Sequence, residues 1–231
     1  MATRPIFVPN QIGTPGANEK PIEFKWHPGM AKSQKQKSIV ELHTSAKLLG
    51  YERLLEISSK SEIELGVKLS AFNLLITTKK NNNIFTVETA FQGSKVFARG
   101  GPYTDLFGMG SLAAKKDIRL KESGSLKRFE FFGFIFPLEP RTFFYDWIYI
   151  NALVQNEHLA NEVKNFDGFT DIEFNPKKSI NCQAHSVALY VSLVKNNLLN
   201  EALLSPESFL KTLINHYERQ NRNIGVQDSL V

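Results

Sequence analysis

The sequence contains only one cysteine in 231 residues, so no disulfide can form within a chain. Such low cysteine use is typical of a reducing compartment and excludes a small secreted domain held together by disulfides. No apolar run reaches the roughly 18 residues that a membrane-spanning helix needs, and the first residues lack the apolar core of a secretion signal. These absences predict a cytoplasmic protein without a membrane partner.

Several ligand-binding signatures are also missing. Neither the Walker phosphate loop nor the glycine fingerprint of dinucleotide-binding folds occurs anywhere in the chain. Cys182 and His185 lie one helical turn apart, but a buried structural cysteine is a commoner explanation than a thiol–imidazole dyad. No other histidine has a cysteine or carboxylate at metal-ligand spacing. We therefore expect neither a metal nor a cofactor.

The composition that remains is that of an ordinary folded protein. Hydrophobic residues make up 42% of the chain and phenylalanine is frequent, at 18 residues. Helical and strand patterns are intermingled, which predicts a compact single domain of the α+β class. Its predicted bounds are 1–217, with 1–30 as a wrapping N-terminal arm and 218–231 as a flexible C-terminal tail. The net charge of +5 favours anionic partners such as nucleic acid, or it is ordinary surface charge. The oligomeric state is not legible.

Hydrophobic periodicity and turn residues predict the order of elements along the chain. Strands are expected at 5–8, 22–26, 54–57, 68–77, 129–136 and 168–174. Helices are expected at 33–50, 86–97, 112–120, 142–155, 157–164 and 179–194, and from 205 onward.

The helix predicted at 86–97 carries a polar stripe on an otherwise apolar surface. Glu88, Gln92 and Lys95 fall within about 60° of one another on an ideal helix. A carboxylate, a carboxamide and an ammonium on a largely buried helix are costly unless they pair or bind something. The stripe is therefore either a ligand site or a surface ion pair, and the spacing alone does not choose between them.

Two segments carry a resemblance to a known family. The segments 69–74 (LSAFNL) and 87–97 (VETAFQGSKVF) resemble the strand and helix motifs of the NADAR superfamily. Segments 34–38, 100–105 and 175–179 resemble the branch associated with DarT-type ADP-ribosyltransferase toxins, and the likeness covers roughly 1–210. Thr89 stands where the family often has histidine, and Ala71 interrupts the strand motif.

The resemblance implies a compact α+β fold and cleavage of N-glycosidic bonds in ADP-ribose-like substrates. For this branch it implies removal of ADP-ribose from guanine bases of DNA or RNA, as the antitoxin to a DarT-type toxin. Two alternatives stay open. Thr89 at the histidine position allows a module that binds ADP-ribose without hydrolysing it, and other branches suggest a small-molecule N-glycosidase.

Cleavage of a C1–N bond passes through an oxocarbenium-like state, so a nearby carboxylate can stabilise charge or activate water. Glu88 is the expected carboxylate, and Asp171 or Glu173 the second. Lys95 could protonate the leaving base or attack a ring-opened ribose as an amine. The other expected substrate contacts are Ser59, Lys60, Asn73, Gln92, Gly100, Gly101, Asn181, Gln183 and, for stacking on a base unless it is a core residue, Trp147.

Overall fold

The computed structural model describes residues 1–220, and its elements are numbered in chain order. The strands are β1 (Ala2–Pro9), β2 (Ala17–Phe24), β3 (Leu54–Glu56), β4 (Leu75–Thr77), β5 (Ile84–Thr86), β6 (Lys95–Phe97), β7 (Leu126–Phe131), β8 (Phe134–Phe136) and β9 (Gly168–Thr170). The α-helices are α1 (Lys32–Lys47), α2 (Glu64–Lys68), α3 (Val87–Gly93), α4 (Ser111–Lys115), α5 (Arg119–Glu122), α6 (Phe143–Gln155), α7 (Glu157–Glu162), α8 (Gln183–Lys195), α9 (Leu199–Ala202) and α10 (Pro206–Glu218). Short 3-10 helices cover Thr104–Gly108 and Val163–Asn165. This mixture confirms the α+β class.

The first 24 residues form an antiparallel hairpin within the main sheet, whose strand order is β2-β1-β9-β3. The predicted wrapping arm is thus part of the fold's central layer. The reason lies in the alternation of β1: Ile6 and Phe7 are both fully buried, on opposite faces of the sheet. Only a strand covered on both sides can bury two successive residues in this way.

Helices cover both faces of this sheet. On one face α1 packs Ile39 and Leu42 against Ile6 and Phe24. On the other face Phe7, Leu55 of β3 and Phe169 of β9 join the larger core formed by α6 and α8. Strands β3 and β9 are parallel, paired from Leu54↔Gly168 to Glu56↔Thr170, so their carboxyl ends meet at one edge of the sheet.

The predicted central helix is shorter than expected. It runs as α3 from Val87 to Gly93 and the chain enters β6 at Lys95. Gly93 allows this close packing, because a β-carbon there would lie 2.7 Å from a ring carbon of Phe107. The three residues of the polar stripe are therefore not on one helix.

Other predicted boundaries also shift. The expected strand 129–136 is instead the hairpin β7–β8, which turns at Phe132 and Gly133. This hairpin belongs to a three-stranded sheet with the order β6-β7-β8. In 68–77 only β4 is extended, 112–120 divides into α4 and part of α5, and α8 begins at Gln183. In the predicted tail, Glu218 still belongs to α10, and 221–231 lie outside the described residues. Within residues 1–220, every helix is too short or too polar to cross a bilayer.

Candidate active site

Glu88 lies in the first turn of α3 and is only 6% exposed. Thr86 caps this helix. Its hydroxyl accepts from the Thr89 backbone N–H, and the Thr89 side chain accepts from the Thr86 backbone N–H in return. The Glu88 N–H donates to the Ala71 carbonyl at 2.9 Å, which ties the two segments of the family resemblance together. The Glu88 side chain accepts a 2.9 Å hydrogen bond from Nε2 of Gln92.

Lys95 lies on β6 rather than on the helix, yet its side chain packs back against α3. Nζ lies 4.8 Å from the ring centroid of Phe91 on α3. Burial lowers the pKa of Lys95 to about 8, Glu88 opposes this decrease, and the positive charge of Lys115 adds to it. The predicted trio of Glu88, Gln92 and Lys95 therefore converges, although by a different backbone path.

Lys115 on α4 completes this group, and sequence reasoning missed it. Its Nζ lies 4.0 Å from Oε1 of Glu88 and 5.2 Å from the ring centroid of Phe72. The sequence predicted only a helix at 112–120, and nothing in its pattern shows that α4 packs beside α3. One carboxylate thus faces two lysines.

A second acidic group lies where the parallel strands β3 and β9 end. Oδ1 of Asp171 accepts from the backbone N–H groups of Glu173 and Phe174, at 3.0 and 3.2 Å. Oδ2 lies 3.9 Å from Sγ of Cys182. Burial raises the pKa of Asp171 well above its usual range, and neighbouring Glu56 raises it further. Burial and Glu56 therefore both favour the protonated form of Asp171.

Glu56 was not predicted as a site residue. Its carboxyl group accepts from the Thr170 hydroxyl at 2.6 Å and from the Ile172 N–H at 2.8 Å. Burial raises its pKa as well. An acidic residue at the end of a short buried strand gave no signal by itself; it becomes notable only through the parallel pairing that places it beside Asp171.

The phenol of Tyr145 on α6 connects the two groups. Burial raises the pKa of Tyr145 well above its usual value, and both Glu88 and Asp171 add to the increase. The Tyr145 ring also packs edge-on against Phe91, with centroids 5.2 Å apart. A residue within electrostatic reach of both carboxyl groups places them around one part of the protein.

A family model described as the DarT1-associated NADAR antitoxin matches residues 2–223 of the chain. The chain belongs to this family. No curated protein matches it significantly. Membership covers nearly the whole sequence, confirms the resemblance, and associates the protein with DarT1 toxins.

In this NADAR protein, two of the predicted binding residues have buried oxygen atoms without partners. Oε1 of Gln92 and Oδ1 of Asn181 make no hydrogen bond to any described residue. The hydroxyl of Ser70, in the motif LSAFNL, is in the same state. Buried polar atoms are nearly always satisfied, so three such atoms near Glu88 and Asp171 are acceptors and donors that a ligand can use.

Other predicted contacts have structural roles. Gln183 accepts from the Ala71 N–H at 2.7 Å and donates to the Ile57 carbonyl at 2.5 Å. These bonds join α8 to the residue that binds the Glu88 N–H and to the residue that follows Glu56. Exposed Asn73 donates to the Val67 carbonyl at 2.8 Å. Gly101 has a φ of +88° and approaches the Lys95 backbone too closely for a β-carbon. Its neighbour Gly100 is half-buried.

The remaining predicted residues lie further from Glu88 or inside the core. Ser59 and Lys60 form an exposed pair at the turn after β3, with Nζ to Oγ at 3.2 Å. Glu173 is exposed and forms an ion pair with Lys35 at 3.4 Å. Trp147 is 9% exposed and packs against core phenylalanines, so its ring is not open to a base.

Two further arrangements bear on the chemistry. Cys182 and His185 form no dyad, because His185 instead faces Asp146, with Nδ1 and Oδ1 3.3 Å apart. Within residues 1–220, no cluster of three or more His, Cys, Asp or Glu side chains could hold a metal. A cavity of about 820 Å³ lies beside this site, and neither Glu88 nor Asp171 lines it.

Proposed function

We propose that this protein is an ADP-ribosyl glycohydrolase that removes ADP-ribose from guanine bases of nucleic acid and so acts as the antitoxin to a DarT1-type toxin. The observation that carries the proposal is that Gln92, Lys95 and Lys115 surround the buried carboxylate of Glu88. Family membership associates the chain with DarT1 toxins and with antitoxin function.

The reaction breaks the bond between C1 of the distal ribose and a guanine nitrogen. The bonding electrons leave with the base, which takes up a proton, and water supplies a hydroxyl group to C1. Glu88 is placed to stabilise the oxocarbenium-like charge or to take the proton from that water. Its hydrogen bond from Gln92 fixes the carboxylate orientation, and Nζ of Lys115 lies 4.0 Å from Oε1.

Lys95 supplies the proton-transfer chemistry in this scheme. With its pKa lowered to about 8, its amine exists in both forms near neutral pH, which suits a group that gives up and regains protons. It serves as the donor to the departing guanine, or its neutral form attacks C1 of a ring-opened ribose as a Schiff-base nucleophile. In the second route the guanine leaves with the bonding electrons of the C1–N bond and a proton, and water then hydrolyses the Schiff base to release ADP-ribose and the free amine. These two routes remain alternatives, and trapping with borohydride separates them because only the second leaves a reducible covalent adduct.

Asp171 is the second acid in the proposal. Its raised pKa favours the protonated form, which can donate a hydrogen bond to a ribose hydroxyl or a proton to the leaving base. The partnerless oxygen atoms of Gln92 and Asn181 accept from the ribose hydroxyls. Lys60, Ser59 and the loop at Gly100 and Gly101 are proposed for the pyrophosphate.

Thr89 does not favour a binding-only function. Its side chain is engaged in the cap with Thr86 and is not among the groups that surround Glu88. Thr89 in this chain therefore serves the helix cap, and the binding-only alternative is decided by the experiment below.

The proposal is tested by incubating the purified protein with single-stranded DNA and RNA that carry ADP-ribose on guanine, beside a ribose phosphate with an amine at C1. Release of free ADP-ribose from the oligonucleotides supports the proposal. Tight binding without release identifies a reader, and turnover restricted to the small compound identifies a small-molecule glycosidase. Either of these results contradicts the proposal.

A further inference from the structure

The hairpin between β7 and β8 carries an aromatic residue where the backbone disfavours one. Its two-residue turn consists of Phe132 and Gly133, with φ values of 46° and 86°. Two positive φ values define the mirror-image turns that prefer Asn-Gly, because residues with large side chains are strained there. Yet the Phe132 side chain is 60% exposed, so core packing does not account for its presence.

The Phe132 ring belongs to a cluster of three aromatic rings, in which its centroid lies 6.0 Å from that of Phe107. It lies 6.1 Å from the Phe85 ring at an interplanar angle of 19°, and Phe85 in turn stacks on Phe107 at 5.0 Å. These three rings line the cavity of about 820 Å³, which we call the aromatic cleft. A partly open ring backed by two other rings is a surface on which a nucleic-acid base can stack.

The charges around the aromatic cleft suit a polyanion. The two acids that line it are both neutralised: Asp105 pairs with Arg119 at 2.7 Å, and Glu130 with Arg128 at 2.6 Å. Residues 79–135, which contain the cleft, hold ten Lys and Arg against five Asp and Glu, whereas the rest of the chain holds 18 of each. The whole net charge of +5 therefore belongs to this segment.

The cleft also adjoins the proposed active site. Phe85 on β5 lies three residues before Glu88, and α3 begins at the residue directly after β5. Phe107 lies in the 3-10 helix that precedes α4, the helix carrying Lys115. A strand of nucleic acid whose modified guanine reaches Glu88 therefore passes close to the cleft.

We propose that the aromatic cleft binds a nucleotide next to the modified guanine in a single strand, with its base stacked on Phe132. Exposed lysines on the neighbouring segments, Lys79 and Lys80 before β5 and Lys127 on β7, meet the phosphates. This inference rests on the proposed function, because it names how that site takes an oligonucleotide rather than a free nucleotide. In this proposal the cleft sets the preference for the length and the strandedness of the substrate, whereas the chemistry at C1 belongs to the active site.

The test uses Phe132→Asn, which suits the turn better than phenylalanine and removes only the ring. Binding of a fluorescent, unmodified 12-nucleotide single-stranded DNA is measured by anisotropy at low salt. We expect the variant to bind at least about five-fold more weakly, in line with the loss of one base stack. The dependence on salt should stay unchanged, since the phosphate contacts remain. Leu204→Asn, at an exposed leucine on a different part of the chain, is the matched control and should bind as wild type does.

A second readout separates this inference from the proposed function. With substrates that release ADP-ribose, Phe132→Asn should raise KM for a modified oligonucleotide and leave ADP-ribosylated guanosine unaffected. Wild-type binding by Phe132→Asn, or no DNA binding by the wild type, overturns the cleft assignment. Phe132→Gly, equally suited to a positive φ, must reproduce the loss, and an unaffected Gly variant also overturns it. Absence of turnover on both substrates, with binding still sensitive to Phe132, contradicts the proposed function but not the cleft.

Discussion

Replacing Lys95 by methionine should make the protein more stable at neutral pH while abolishing its activity. Burial lowers the pKa of Lys95 from 10.5 to about 8, which means that the folded structure disfavours the charged amine. A decrease of this size corresponds to about 3 kcal/mol of unfolding free energy at pH 7. Methionine keeps the aliphatic packing over Phe91 but loses the cation–π contact, worth about 0.5–1 kcal/mol, so the expected net gain is about 2 kcal/mol.

The pH dependence gives this prediction its sign. Between pH 8 and pH 10.5 the unfolded chain binds a proton at Lys95 that the folded protein has already released, so the stability of the wild type rises with pH through this window. Below pH 8 both states are protonated and the penalty is fully present. The advantage of Lys95→Met should therefore be constant below about pH 7 and decline toward zero by about pH 10.5, because other groups titrate equally in both proteins.

Urea unfolding of both proteins at pH 7, 9 and 10.5 measures this difference directly. The control is Lys115→Met, whose side chain is 55% exposed and should change stability little. If Lys95→Met is less stable than the wild type at pH 7, or if the difference does not depend on pH, the amine is not buried as described. The role of Lys95 in proton transfer then loses its physical basis.

Three further changes have defined outcomes. Glu88→Gln should lower ADP-ribose release at least about 100-fold without changing the melting temperature. The control Glu64→Gln, at an exposed residue of α2, should leave release unchanged. Wild-type turnover by the Glu88 variant would remove that residue from the mechanism. Asp171→Asn should unfold at neutral pH with the same free energy as the wild type or a higher one, because burial raises the pKa of Asp171 and so disfavours the ionised carboxylate in the fold; a large loss of stability would show instead that an ionised carboxylate is required. Asp146→Ala should lose about 3–5 kcal/mol in chemical denaturation, since the buried Asp146 carboxylate accepts from Ser186 and faces His185; a loss below about 1 kcal/mol would contradict the importance of this network.

Sequence periodicity predicted the members of the site better than its geometry. The spacing of Glu88, Gln92 and Lys95 fits one helix, but the helix ends at Gly93 and Lys95 begins a strand. The ammonium still lies over Phe91 of α3, within the electrostatic influence of Glu88, because the turn at Ser94, whose hydroxyl donates to the Ala90 carbonyl at 2.7 Å, keeps β6 beside α3. Local pattern identified the residue types that need partners, whereas the backbone path depended on close packing around a glycine.

The residues that sequence reasoning missed share a physical cause. Lys115 and Glu56 enter the site through contacts between elements far apart in the chain, α4 against α3 and β3 against β9. Neither has an unusual local pattern, so no single segment could indicate it. Trp147 shows the opposite error: an aromatic at helical spacing suited both a core and a stacking surface, and only its neighbours in space place it in the core.

The unfavourable groups of this protein are concentrated where the chemistry is proposed. A lysine with a lowered pKa and the partnerless oxygen of Gln92 belong to the group around Glu88, and two carboxyl groups with raised pKa values form the group at Asp171. Each of them lowers the stability of the unliganded fold, and none is needed to hold α3 in place, since the Thr86 cap and the bond from Glu88 to Ala71 do that. A ribose with its hydroxyls and a leaving base would satisfy these groups together. Ligand binding should therefore recover stability at this site, and ADP-ribose should raise the melting temperature of the wild type more than that of Lys95→Met, in which part of the cost has already been removed.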